Sequence, residues 1–275
     1  EDLRRIWMED AESMAARGCN ECARAVYEHA LREFPAKRSI WVRAAQHEKA
    51  HGTPTSLEEL LRRAVSSCPQ AESLWLMAAK EKWMGGDVAG ARAVLSEAFR
   101  ANPNSENVWL AAHKLEWENG EVGRARRLLE SARARAGSER VWLKSVVMER
   151  DIDDTQEALR LCAHALDAHP RFWKLHLVKA EMEARLGSAE AASATLARAL
   201  KLCPDSVPVW SAVAALEERS GSVSKARSVL ETARLKNPHA PKLWVNAVRL
   251  ERRAGNRKAA EALIAKALRQ CRSAG

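Results

Sequence analysis

The sequence predicts an all-α protein built as a solenoid of about eight stacked helical hairpins. Three observations carry that prediction. The 275 residues are 47% apolar yet include one Tyr and three Phe, and with Ala prominent this composition favours helix over strand. A phrase of 34 residues recurs along the chain. Within each phrase, small residues follow the 3- and 4-residue spacing of one helix face.

The first helix of each hairpin is marked by an aromatic anchor. Trp7, Trp41, Trp75 and Trp109 stand 34 residues apart, the frame loses one residue before Trp142, passes His176, and returns to Trp at Trp210 and Trp244. From each anchor the chain runs without Pro to Gly18, Gly52, Gly86, Gly120, Asp153, Gly187, Gly221 or Gly255, eleven residues on. Glycine takes the left-handed conformation that stops a helix, so the first helix is expected to end there.

The second helix is marked by its small face. Offset 23 is Ala in all eight phrases (Ala30, Ala64, Ala98, Ala132, Ala165, Ala199, Ala233, Ala267), and offset 16 is Ala except at Leu57. Side chains of this size let two helix backbones approach closely while Trp and Leu fill the space around them. Pro35, Pro69, Pro103, Pro170, Pro204 and Pro238 close the phrase, and Ser105, Ser138 and Ser206 are placed to cap the helix that follows. Hairpins are therefore expected to begin near residues 3, 37, 71, 105, 138, 172, 206 and 240, in one repeat domain over 1–275. The missing residue falls between Gly137 and Trp142, in an expected loop. No such hairpin buries its own stripe, so neighbours must cover it.

The Trp, the two Ala slots and the closing Pro resemble the tetratricopeptide repeat. Where that repeat usually has Tyr, seven residues after the anchor, this chain has Glu48, Glu116, Glu149, Glu183, Glu217 and Glu251, with Met14 and Lys82 as exceptions. With "AR" opening the second helix at Ala23-Arg24, Ala91-Arg92, Ala125-Arg126 and Ala226-Arg227, the pattern looks like the half-a-TPR (HAT) repeat of RNA-processing assemblies. A Glu–Arg pair within one hairpin does not explain the Glu, since only Glu116 with Arg126 and Glu217 with Arg227 have both members.

Longer phrases, among them "LWLMAAKEKWMGGDVAGARAVL" and "ANPNSENVWLAAHKLE", resemble the HAT-repeat scaffolds of the spliceosomal tri-snRNP. The resemblance implies a right-handed solenoid and a non-catalytic bridge that grips other tri-snRNP proteins in the nucleus, with RNA contact secondary and no obligate homodimer. Scaffolds of 3'-end cleavage or ribosome biogenesis, or a direct RNA binder, are the alternatives. Carried over by resemblance, offsets 5, 8 and 9 face a concave groove, which places Lys80, Trp83, Lys114, Trp117, Arg150, Arg185, Arg219, Arg249, Arg252 and Arg253 there as partner-binding residues. Basic residues interleaved with Trp suit an acidic helix or stacked bases.

A net charge of +9 and a pI near 9.5 favour acidic partners of any kind. No apolar run approaches the roughly 20 residues of a membrane span, and no leader pattern opens the chain. The start in mid-phrase at "EDLRRIW" and the stop at "CRSAG" read as a fragment of a longer protein.

Cys19 and Cys22 with His47 and His51 raise a zinc site, but the 24-residue gap is long and His47 fills a packing slot held elsewhere by Leu or Met. No metal or cofactor is expected. Cys68, Cys203 and Cys271 share the end of a second helix and Cys162 a packing slot, so no disulfide framework is expected. No nucleophile, base and oxyanion donor converge in sequence, and no enzyme is expected.

Overall fold

A computed structural model describes residues 2–272, and among them sixteen helices follow one another without a strand. They are α1 (Asp2–Ala16), α2 (Asn20–Glu33), α3 (Arg38–His51), α4 (Pro54–Ser67), α5 (Glu72–Met84), α6 (Val88–Ala101), α7 (Glu106–Glu118), α8 (Val122–Arg135), α9 (Glu139–Asp151), α10 (Thr155–Ala168), α11 (Trp173–Arg185), α12 (Ala189–Leu202), α13 (Val207–Arg219), α14 (Val223–Lys236), α15 (Pro241–Arg253) and α16 (Arg257–Arg272). No described helix is long and apolar enough to cross a membrane.

The chain divides into two compact units, Glu1–Val141 and Trp142–Gly275. Within the first, α2 packs on α3, α4 on α5 and α6 on α7, while α3 and α7 flank α5. The second repeats the scheme with α10 on α11, α12 on α13 and α14 on α15. Each unit is therefore a solenoid segment, and its core is a row of interfaces between neighbouring hairpins. The loop of residues 136–138 is one residue shorter than the other inter-hairpin loops, such as 34–37, so the deletion falls outside the helices.

The small stripe sits at the tightest contacts. Ala23, Ala30, Ala91, Ala98, Ala158, Ala165, Ala226 and Ala233 are fully buried. A larger side chain there would force helices apart, an overpacking cost of about 1–3 kcal/mol per site.

The recurring Pro and Trp form one hydrogen-bonded device. The indole Nε1–H of Trp41, Trp75, Trp109, Trp210 and Trp244 donates to the carbonyl of Pro35, Pro69, Pro103, Pro204 and Pro238, at 2.7, 2.8, 2.9, 2.7 and 3.3 Å. Each bond satisfies a loop carbonyl left behind when the preceding helix stops. His176 replaces the indole with its imidazole, Nε2 lying 2.9 Å from the Pro170 carbonyl. Offset 27 repeats the idea: Cys68, Asn102 and Cys203 donate to the carbonyls of Pro35, Pro69 and Arg171 in the loop one hairpin earlier. Burial pushes the Cys68 and Cys203 thiols up and the Cys162 thiol to about 12. The Cys271 side chain lies outside the described residues.

Seven of the eight intra-hairpin turns hold the expected left-handed residue, including Asp153 at φ 62°. Gly52 differs, with φ −97° and ψ −163°. Glycine is still needed there, since a Cβ on Gly52 would meet the Glu48 carboxylate at 2.1 Å. There Thr53 and Ser56 form a reciprocal capping box around Pro54. Ser105 and Ser138 accept the amides of Val108 and Val141 as expected, whereas Ser206 makes no side-chain cap because its hydroxyl is buried without an acceptor or donor in reach.

Candidate protein-binding surface

The slot that the sequence left unexplained proves to be an inter-hairpin ladder. Arg24 Nε donates to Glu48 Oε1 at 2.5 Å, Arg92 grips Glu116 at 2.8 and 2.7 Å, and Arg227 grips Glu251 at 2.5 and 2.9 Å. In each case the Arg opens the second helix of one hairpin and the Glu belongs to the first helix of the next, 24 residues on. Glu116 thus pairs with the Arg before it, not with Arg126 of its own hairpin. The carboxylates are buried, with Glu48, Glu116 and Glu251 at 6, 6 and 4% exposure, so each guanidinium satisfies a charge that has little access to water. The signal was present in the sequence as a spacing of 24 between Arg and Glu.

At one junction the ladder runs with its charges exchanged. The Arg slot holds Glu58, the Glu slot holds Lys82, and Lys82 Nζ donates to Glu58 Oε1 at 2.7 Å. Hydrogen bonding to Glu58 raises the Lys82 pKa. Glu183 takes a third solution, accepting the Thr195 hydroxyl of its own hairpin at 2.7 Å.

These rungs occupy one stripe of the first helices, and the residues expected to bind partners lie on others. The ten basic and aromatic residues predicted for the groove form small groups. Lys114 Nζ lies 5.8 Å from the Trp83 ring centre, and Trp117 stacks with His113 at 6.3 Å. Trp83 also packs against the core of the first unit, so its ring is only partly available. In the second unit Arg150 and Arg185 share Glu181, at 3.6 and 2.7 Å, and Arg253 is held by Glu218 at 2.8 Å. Arg185 and Arg219 line one cavity of about 510 Å³ with Leu177, Ala180 and Leu216. Lys80, Arg249 and Arg252 are exposed, with no side-chain partner among the described residues.

His47 fills a packing slot. Its Nε2 sits 3.2 Å from the Asn20 carbonyl and its ring packs against Tyr27 and His51, while Cys19 and Cys22 are exposed. Among the described residues no three His, Cys, Asp or Glu side chains gather as metal ligands.

Stacked hairpins with buried Ala stripes, left-handed turns and a solvent-facing row of charged side chains define a helical-repeat scaffold of the protein-interaction type. Two tetratricopeptide repeat models match, one over residues 153–216 and another over residues 214–274, so this part of the chain is similar to tetratricopeptide repeats. Its curated relatives include human Pre-mRNA-processing factor 6, 54% identical over 39 residues, and Protein STABILIZED1 of Arabidopsis thaliana, 50% identical over 49 residues. Those matches cover 14% and 18% of this chain and only 4% and 5% of the relatives. Among solved structures, yeast Tom70 superposes with a TM-score of 0.57 at 12% identity over 91% of this chain and 55% of that one. Pseudomonas aeruginosa PilF gives 0.50 at 15% identity over 71% of this chain and 89% of that one. Likenesses at such identity establish the fold alone.

Proposed function

We propose that this chain is a non-catalytic scaffold in pre-mRNA splicing, which bridges proteins of the tri-snRNP in the nucleus through a row of first-helix side chains. The observation that supports this reading most is the short, high-identity match to Pre-mRNA-processing factor 6 and STABILIZED1 on a fold of the protein-interaction type. The mechanism is geometric. Similar hairpins present many modest contacts in fixed order, and several engaged together give an avidity that no single contact has.

Lys80, Trp83, Lys114, Trp117, Arg150, Arg185, Arg219, Arg249, Arg252 and Arg253 are the proposed contacts. Of these, Lys80, Arg249 and Arg252 are exposed cations that no carboxylate among the described residues neutralises, which suits them to meet an acidic partner. A pull-down from nuclear extract, with and without nuclease, tests the reading with Arg249, Arg252 and Arg253 changed together to Glu. Splicing proteins retained after nuclease and lost in the variant support it. Capture that nuclease abolishes, and that falls steeply with salt, would identify an RNA binder instead.

A further inference from the structure

The junction between the second and third hairpins departs from the repeat in four places, and all four line one cavity. Leu57 replaces the Ala of the stripe, Glu58 and Lys82 exchange the charges of the ladder, and the Gly52 turn abandons the left-handed form. The cavity measures about 660 Å³, in the range of about 300–1,000 Å³ typical of ligand sites. It lies wholly within the first unit, where α3, α4, α5 and α6 meet. Leu57, Leu61, Val65, Trp75, Ala78 and Val94 give it an apolar wall.

Its rim is acidic on a basic chain. Lining carboxylates are Glu48, Glu58, Glu81, Asp87 and Glu97, and lining cations are Lys49, Arg62 and Lys82. Two of these are neutralised from outside, Glu48 by Arg24 and Arg62 by Glu59. Lys49 takes Glu81 at 2.5 Å, and Lys82 takes Glu58 at 2.7 Å while reaching Asp87 at 3.4 Å. Four carboxylates against two lysines leave an excess of two negative charges, while the whole chain carries +9. Glu97 is exposed, with no ion-pair partner among the described residues. Elsewhere the ladder joins a guanidinium to a buried carboxylate, but here a single ammonium meets Glu58, whose side chain is 59% exposed, so an incoming cation displaces it at little cost.

From this we infer that the cavity is a peptide-docking site, distinct from the first-helix groove, for a segment with a large apolar side chain flanked by Lys or Arg. The apolar wall takes the anchor residue, and the Asp87 and Glu97 side takes the flanking charge. The site uses the stripe of α5 that carries Trp75, Ala78 and Lys82, whereas Lys80 and Trp83 lie on another stripe of the same helix.

Selection of a random twelve-residue peptide library on the whole chain, followed by fluorescence anisotropy of the selected peptides, tests this. Enrichment of Leu or aromatic residues next to Lys or Arg is expected. Glu97→Lys should weaken those peptides about threefold, Val94→Trp should fill the cavity and weaken them at least about tenfold, and Lys80→Glu should leave them unchanged. No enrichment of peptides that join a large apolar residue to Lys or Arg, or equal binding of such peptides to Glu97→Lys and the unaltered chain, would overturn the proposal. Loss on Lys80→Glu alone would assign the peptides to the groove and overturn it too. Glu97 is exposed, so the outcome stands even if Val94→Trp fails to fold.

Discussion

Arg227, at the start of α14, holds the buried carboxylate of Glu251 on α15 with Nε to Oε1 at 2.5 Å and Nη2 to Oε2 at 2.9 Å, and Asn256 adds a third bond at 3.0 Å. The pair spans a hairpin junction and fixes the register of one hairpin on the next. Arg227→Met strands Glu251 with only the Asn256 amide, so stability should fall by roughly 1–2 kcal/mol, less than for a fully buried pair because the Arg227 side chain is 45% exposed. Glu251→Gln in the same background should recover part of the loss. Thermal melts followed by circular dichroism read both, and an unchanged midpoint in Arg227→Met would remove the ladder's energetic role.

The same pair has a pH signature. The Arg227 hydrogen bonds hold the Glu251 pKa below the usual carboxylate value, against the opposing effect of burial. A carboxyl with a depressed folded pKa stabilises fully above its unfolded value, near about 4.3. That contribution is lost as pH falls through the folded value. The stability gap between the unaltered chain and an Arg227→Met, Glu251→Gln double variant should therefore be wide at neutral pH and narrow below pH of about 4. A gap that widens on acidification would contradict the assignment.

His176 titrates with the opposite chemistry and the same direction. Burial pushes its pKa below the ordinary imidazole value, although the bond to the Pro170 carbonyl opposes this. The unfolded chain therefore takes up a proton near pH of about 6.5 that the folded chain resists, and stability should drop as pH falls below that value. His176→Phe removes the titration and also leaves the Pro170 carbonyl without its donor, so the variant should be weaker at pH 8 but flatter between pH 8 and 5.5. Equal slopes in the two melts would show that His176 is not the titrating group.

Glu58 and Lys82 offer a charge-exchange cycle. Lys82→Glu alone sets two carboxylates against each other and should lower the melting midpoint. Glu58→Arg added to it rebuilds the common polarity of the ladder and should return the midpoint to near its starting value. A double variant no better than Lys82→Glu would mean that the exchanged rung is not interchangeable with the others.

Asp153 stands in the left-handed conformation that glycine holds at the equivalent turns, at φ 62°. Asp153→Gly relieves that strain and should raise stability by about 0.5–1 kcal/mol, with the Asp154 cap on Glu157 left intact. Denaturant unfolding checks it, and a loss of stability would show that the Asp153 side chain has work of its own.

The fold was legible because its determinants are local and repeated. Trp, Gly, Ala and Pro each act within one helix, one turn or one contact, so eight copies of the phrase expose the rule. Ala30 and its counterparts at offset 23 name the interface as plainly in sequence as in space. The ladder was less legible, because Arg92 and Glu116 lie in different phrases and the eye pairs Glu116 with the nearer Arg126. The cavity was least legible. Its departures at Gly52, Leu57, Glu58 and Lys82 look like scattered exceptions until two hairpins pack and bring them to one wall. The residues expected in the groove divide similarly: the sequence identifies Arg150 and Arg253 as basic, but only packing shows that Glu181 and Glu218 already engage them.

Far-UV circular dichroism of the isolated third hairpin, residues 71–104, measured beside the first four hairpins, residues 1–137, addresses the central claim most directly. If hairpins fold only by covering one another, the 34-residue peptide should be largely unstructured at 25 °C, since helices of this length are marginal alone. The four-hairpin chain should be strongly helical and melt cooperatively. A cooperative melt from the single hairpin would contradict the account.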